Sequence, residues 1–210
     1  MSGQGGSTIS LLSDLSRQSQ PCWTTPLPTF SLPRTCSLHM TTSSSLDLPC
    51  IGDVFGGRAV ELSGICIDPN YQHRGIATTL LTHYVEQERP ELVTAYTRNP
   101  ATVGLMNSVL IYLSPVSNTI LMAPYAAQMP HAEEVAFRTY AHLNRYGDNG
   151  LYRHHDPADL PYGQAFATLK EQYPVLQHPG NALVLAGARQ GSALEQSIYE
   201  TRDYNFCGPF

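Results

Sequence analysis

The stretch Ile67-Asp68-Pro69-Asn70-Tyr71-Gln72-His73-Arg74-Gly75-Ile76-Ala77-Thr78-Thr79-Leu80-Leu81 reads as a strand that ends, a turn, and a helix that starts around one glycine. Upstream, RAVELSGICI is rich in β-branched and small residues and predicts one strand, with Val60, Leu62 or Ile65, and Ile67 available to a core. Pro69 and Asn70 stop it, because proline cannot donate to a ladder and asparagine favours turns. Downstream, Ile76, Leu80, Leu81, Tyr84 and Val85 recur at three-to-four-residue spacing and predict a helix that packs back on the sheet.

The unit then repeats. ELVTAYT predicts a second strand, and NPATVGLMNSVLIYL a second helix, with Asn99 as cap and Pro100 in the first turn. Farther on, NTILMAPY reads as a strand, HAEEVAFRTYAHLNRYG as a helix ended by Gly147, YGQAFATLKEQY as another helix and NALVLAGA as a late strand.

Composition bounds the rest. The chain has 210 residues, 42% of them hydrophobic, enough for one substantial folded domain. A net charge of −5 leaves no basic field to hold phosphate backbones, so nucleic acid is not an expected partner. No long apolar run predicts a membrane span, and the N-terminus lacks the basic start and apolar core of a secretion signal; a soluble, cytoplasmic protein is expected. Five cysteines, none in a CxxC pair, predict reduced thiols rather than a disulfide framework or a zinc site. Residues 1–50 are crowded with Ser, Thr and Pro and read as loop or poorly ordered chain, with STISLLSDLSRQ as a short helix; the folded domain is expected over 51–210.

At a strand-to-helix turn the first helical N–H groups lack partners and their dipoles sum to a partial positive charge. Gly75 lets a ligand approach the backbone, Arg74 adds a fixed charge and Gln72 can donate from its amide, so a pyrophosphate suits the turn. From spacing alone a solvated turn is an equal reading.

The pattern Gln72-x-x-Gly75-x-Ala77, between an apolar strand and an amphipathic helix and followed by a second strand ending in TRNP, resembles the Q/R-x-x-G-x-G/A motif of the GNAT superfamily of acetyl-CoA-dependent N-acyltransferases. The resemblance covers roughly residues 57–113 and implies an α/β domain with a mixed, mostly antiparallel sheet, flanking helices, and a divergent or abbreviated N-terminal part. The sheet would splay where the motif strand and the next strand part to admit acetyl-CoA. The implied activity is transfer of an acetyl group to an amine acceptor by direct attack in a ternary complex. It further implies that the backbone of Ile65, Cys66 and Ile67 pairs with the pantetheine arm, and that Gln72, His73, Arg74, Gly75, Ile76 and Ala77 hold the pyrophosphate. Asn99 matches a position that contacts the arm near the thioester; as a helix cap it can serve both ends. No metal is implied.

An attacking amine must be neutral, so a base or a water chain must take its proton. Glu61 stands fourteen residues before Gly75, a spacing similar to that of the general-base glutamate in the histone-acetylating branch, although a solvent-facing strand glutamate is the commoner arrangement. Cys66 is expected as a small buried core residue rather than a nucleophile. Two departures stand out. Many members carry a tyrosine seven residues after the asparagine, as acid for the leaving thiolate; here that residue is Met106, and Tyr112 could substitute only if the helix end bends toward the cofactor. The family also lines its acceptor pocket with upstream elements that residues 1–56 look poorly suited to build. Either these are divergent, or the acceptor site is incomplete, open, or shared with the second chain of a homodimer. The alternative to an enzyme is a coenzyme A-binding or interaction module that has lost catalysis. His154, His155 and Asp156 read as a solvated loop, and Tyr140, Tyr146, Tyr152 and Tyr162 are left unassigned. The acidic balance favours a cationic acceptor.

Overall fold

The computed structural model describes residues 35–41, 44–117, 121–148, 150–151 and 163–206. Its strands are β1 (Thr35–Thr41), β2 (Ser44–Val54), β3 (Gly57–Leu62), β4 (Gly64–Ile67), β5 (Leu92–Thr97), β6 (Ile111–Ser114), β7 (Glu133–Ala136), β8 (Thr139–His142) and β9 (Ala182–Ala188). The helices are α1 (Ile76–Glu88), α2 (Pro100–Val109), α3 (Ala123–Ala126), α4 (Gly163–Gln172) and α5 (Ala193–Phe206). Seven strands follow the order β1-β2-β3-β5-β9-β8-β7, with β4 attached to β2 and β6 to β9. Only β3 and β5 run parallel; the other described pairs are antiparallel, so the sheet is mixed and mostly antiparallel as expected.

The sheet is covered on both faces. Val60, Leu62, Val93, Ala95, Leu183 and Leu185 point one way, into a core with Leu80, Leu81 and Tyr84 of α1, Met106 of α2 and Leu169 of α4. Ala59, Leu92, Val184, Ala186 and Ala188 point the other way, against Ala126 of α3 and Leu194 and Ile198 of α5. This alternation explains why β9 reads as a continuous apolar run: all seven of its residues are buried because both faces are covered. Glu91 ties α5 to the start of β5, accepting from the Leu194 N–H at 2.9 Å and from Arg189 at 3.3 Å.

Several sequence expectations need correction. RAVELSGICI is two strands, β3 and β4, broken at Ser63. The helix expected over NPATVGLMNSVLIYL stops at Val109; Leu110 is extended and Ile111–Ser114 joins β9. Gly187 of β9 makes this possible, since a Cβ there would sit 3.0 Å from Leu110 Cβ. NTILMAPY was expected as a strand; among its described residues, Ala123–Tyr125 are helical, with Pro124 in the first turn of α3. HAEEVAFRTYAHLNRYG forms the β7–β8 hairpin instead of a helix. Ala136 faces Thr139 across a Phe137-Arg138 turn with Arg138 at φ 54°, and β8 docks on β9 through Ala141↔Leu183 and His142↔Ala182. Pairing with an existing sheet edge overrides a local helical period that Ala and Glu supply by composition. The loop expected to residue 50 gives way from Thr35 to β1 and β2, so the folded part begins well before residue 51. The short helix expected in STISLLSDLSRQ lies outside the described residues, as do Cys22, Tyr152, His154, His155, Asp156 and Tyr162. Among the described residues no helix is long and apolar enough to cross a membrane, and no three His, Cys, Asp or Glu side chains converge as metal ligands.

Candidate active site

β2 carries both halves of the broken strand along one edge: Cys50–Val54 pairs with β3, and Ser44–Asp47 pairs with β4. β5 follows only β3, and their ladder ends at Leu62↔Ala95. Past that rung β4 stays with β2 while β5 continues beside β9 through Tyr96 and Thr97. The two strands part there, and among the described pairings β4 uses one edge only. Its other edge can take an extended ligand as an added strand. Ile65 and Ile67 turn half-buried into the α1 side of the core, which sends Cys66 to the opposite side; Cys66 is exposed, not buried as its type suggested.

The turn after β4 is held by its own side chains. Asp68 accepts from the Asn70 N–H at 2.8 Å, and a 3-10 turn spans Pro69–Tyr71. The Gln72 amide donates back to the Ile67 carbonyl at 3.0 Å, pinning the turn to the strand end rather than reaching outward. Arg74 sits over the Tyr71 ring at 5.3 Å, a contact that keeps its charge beside the turn. His73 (φ 59°) and Gly75 (φ 75°) both adopt the left-handed region, and nothing lies within 4 Å of a Cβ placed on Gly75. No side chain caps α1, so its leading N–H groups and dipole face this open space. Ile76 and Ala77 begin the helix and pack against the α1 side of the core.

At the end of β5 the chain turns sharply into α2. Asn99 Oδ1 accepts from the Ala101 N–H at 2.8 Å, which is the cap expected of it, and its own N–H donates to Thr97 Oγ1 at 2.9 Å. Met106 is fully buried, so α2 offers no proton donor at that position.

On the sheet face opposite α1, Glu61 shares its side with Thr94 and Tyr96, as the parallel register Glu61↔Thr94 requires. Burial raises the Glu61 carboxyl above its ordinary 4.5, against the pull of Arg145. Tyr96 begins an aromatic group that the sequence did not assign. Its ring stacks on Tyr146 at 5.8 Å and lies 5.1 Å from His142, whose Nδ1 is 2.8 Å from the Tyr146 hydroxyl. His142 is 4% exposed, and burial, helped by Arg145, pulls its pKa down to about 4, so the ring is neutral near pH 7. No sequence signal could have gathered this group, because β8 reaches β5 only through β9 and Tyr146 returns from the loop after it.

Tyr112 lies elsewhere. It stands on β6, at φ 52°, edge-on to Tyr199 at 5.9 Å. β6 pairs with the Ala186–Ala188 end of β9, which lies beside the start of β5, whereas β8 pairs with Ala182–Leu183 beside the end of β5. Tyr112 is therefore at the opposite end of the sheet from the parting of β4 and β5.

Compared with known families, residues 40–106 match the model described as "Acetyltransferase (GNAT) family", a span running from the end of β1 through β2, β3, β4, α1 and β5 into α2. No curated protein and no solved structure matches the chain.

Proposed function

We propose, from the premise that the chain belongs to the GNAT superfamily, that it transfers an acetyl group from acetyl-CoA to an amine acceptor. The family membership supports an acetyltransferase-type activity; the donor, the acceptor class and the residue roles are our reading. The observation that carries it is the parting of β4 and β5 beyond Leu62↔Ala95, directly beside an uncapped helix N-terminus with open space at Gly75.

The residues fit the donor. An extended, amide-bearing arm can pair with the backbone of Ile65, Cys66 and Ile67 along the open edge of β4. The pyrophosphate suits the N–H groups that follow Gly75, with His73, Arg74, Ile76 and Ala77 around it and Gln72 holding the turn in shape. Asn99, two residues past the end of β5, caps α2 and is the residue we assign to the arm near the thioester. When bound, acetyl-CoA supplies the thioester carbonyl that an amine attacks.

Glu61 is the base in this reading. A partly buried carboxylate with a raised pKa holds a proton more readily than one in water, which suits it to relieve the amine as the new bond forms. Arg145 opposes that rise and so favours the ionised form of Glu61. The position on α2 that carries the usual tyrosine offers no acid, because Met106 stands there; a thiolate is far less basic than an alkoxide or amide ion and can leave without one.

Met106 also motivates the rival reading, a module that binds coenzyme A without transferring. Thermal melting with acetyl-CoA separates the cases when run beside an assay of coenzyme A release. Saturating donor at a hundredfold excess over Kd should stabilise the protein by about 2.7 kcal/mol. Stabilisation with amine-dependent release supports the enzyme, stabilisation without release under any amine supports the module, and absence of stabilisation removes both.

A further inference from the structure

β5 runs on past its parallel partner. Its ladder with β3 stops at Leu62↔Ala95, and Tyr96 and Thr97 continue with β9 on one side and the gap on the other. From there each of four consecutive residues engages a different element. The Tyr96 ring stacks on Tyr146 at 5.8 Å, Thr97 Oγ1 accepts from the Asn99 N–H at 2.9 Å, and Asn99 caps α2. Arg98 turns into the loop that leads to β9.

That loop is shaped around the Arg98 guanidinium. Arg98 is buried and donates to the carbonyls of Leu176 at 3.1 Å, of Asn181 at 2.9 Å and of His178. A planar fork that reaches three carbonyls fixes their positions relative to one another. Asn181 carries the arrangement onward, because its Nδ2 donates to the Val175 carbonyl at 2.8 Å while its Oδ1 accepts from the Asn144 N–H at 2.7 Å. Beside it, the Gly180 carbonyl accepts from the Tyr146 N–H at 3.2 Å. Tyr146 is thus placed from two directions, by Tyr96 through its ring and by Arg98 through the loop. Both begin at the end of β5 that borders the gap.

We infer that Arg98 is a positioning residue that couples the donor gap to the Glu61 face. A ligand in the gap holds Tyr96 and Thr97, Arg98 passes that restraint to residues 176–181, and the backbone of residues 144–146 is steadied in turn. This rests on the acyltransferase reading. The coupling acts by restraint and requires no displacement. By reciprocity, whatever orders the backbone of residues 144–146 tightens the donor by the same factor.

Amide exchange on the full chain, followed by NMR with and without saturating coenzyme A, tests this. In the wild type the ligand should slow exchange at Ile76 and Ala77, beside the turn, and also at Asn144 and Tyr146, there by about fivefold or more, the lower end of ordinary coupling. Arg98→Lys should keep the response at Ile76 and Ala77 and lose it at Asn144 and Tyr146; a merely structural Arg98 would leave it in place. Asn181→Ala retains the backbone carbonyls that Arg98 reaches and removes the side chain that holds Asn144. Asn144 should then lose its response while Tyr146 keeps it, and this variant carries the test if Arg98→Lys does not fold. Slowing confined to Ile76 and Ala77 in the wild type overturns the inference alone, as does a remote response that survives in Arg98→Lys or at Asn144 in Asn181→Ala. No slowing at any amide overturns it together with the acyltransferase reading.

Discussion

Leu62 and Ala95 form the last rung joining β3 to β5, and from that rung the two chains diverge, one along β2 and the other along β9. A sheet that lost its pairing there without purpose would leave backbone groups unsatisfied at strand ends that are otherwise well packed. The gap lies between the glycine turn and the strand that carries Glu61.

Gly75→Asp places a side chain in an αL position and a negative charge at the uncapped start of α1. Nothing crowds the new Cβ, so the cost is that of a non-glycine residue at positive φ, about 1–2 kcal/mol. The variant should stay folded and lose the thermal stabilisation by acetyl-CoA. A donor-induced rise in Tm equal to that of the wild type would place the pyrophosphate elsewhere.

Glu61→Gln should slow transfer while making the protein more stable at neutral pH. The folded carboxyl has a pKa above 4.5, so the folded state holds its proton more tightly than the unfolded one. The ionised group therefore costs stability above the unfolded pKa, and the advantage of glutamine should disappear below about pH 4.5. Urea unfolding at pH 7 and pH 4 measures this. The acid limb of kcat/KM attributed to Glu61 should vanish in the same variant.

His142 predicts the opposite slope. Its imidazole titrates near 6.5 when unfolded and near 4 when buried, with Arg145 and His131 both opposing the proton. Stability should be complete above about pH 6.5 and fall as the pH drops toward 4, by up to about 1.4 kcal/mol per unit from this group. His142→Asn has nothing to titrate and should flatten that part of the curve. An unchanged pH profile would mean that the ring is solvated.

Arg98→Met should be among the more damaging substitutions outside the site. Arg98 is 5% exposed, donates to the carbonyls of Leu176 at 3.1 Å and Asn181 at 2.9 Å as well as to that of His178, and lies over the Phe166 ring. Losing it strands buried carbonyls, at a cost of about 3 kcal/mol in urea unfolding. Arg98→Lys should rescue little, because one ammonium cannot reproduce the planar fork. The same segment carries Gly180 and Asn181, which anchor the loop of Tyr146.

The core of the site was legible because its signals are local. A proline and an asparagine end a strand, a glycine opens a helix, and an asparagine followed by proline opens another; each depends on the φ and donor chemistry of one or two residues. The position of Glu61 was legible as spacing, and its burial was not, since that depends on which strand lies alongside. Tyr112 shows the limit in the other direction: a helical period continued past Val109 in the sequence, but the backbone had already crossed to β9 over the flat surface of Gly187. The β7–β8 hairpin was missed for the same reason, because a strand's stability resides in its partner.

By itself, the sequence determined the two βα units, the glycine turn and the late apolar strand, all from backbone preferences and periodicities within a dozen residues. Only the tertiary structure decided where β3 breaks into β4, how far β5 follows, and that His142, Tyr146 and Tyr96 meet on the face that carries Glu61. Those arrangements join residues up to about eighty positions apart, and hydrogen-bond ladders and burial, which have no signature in a local window, select among them.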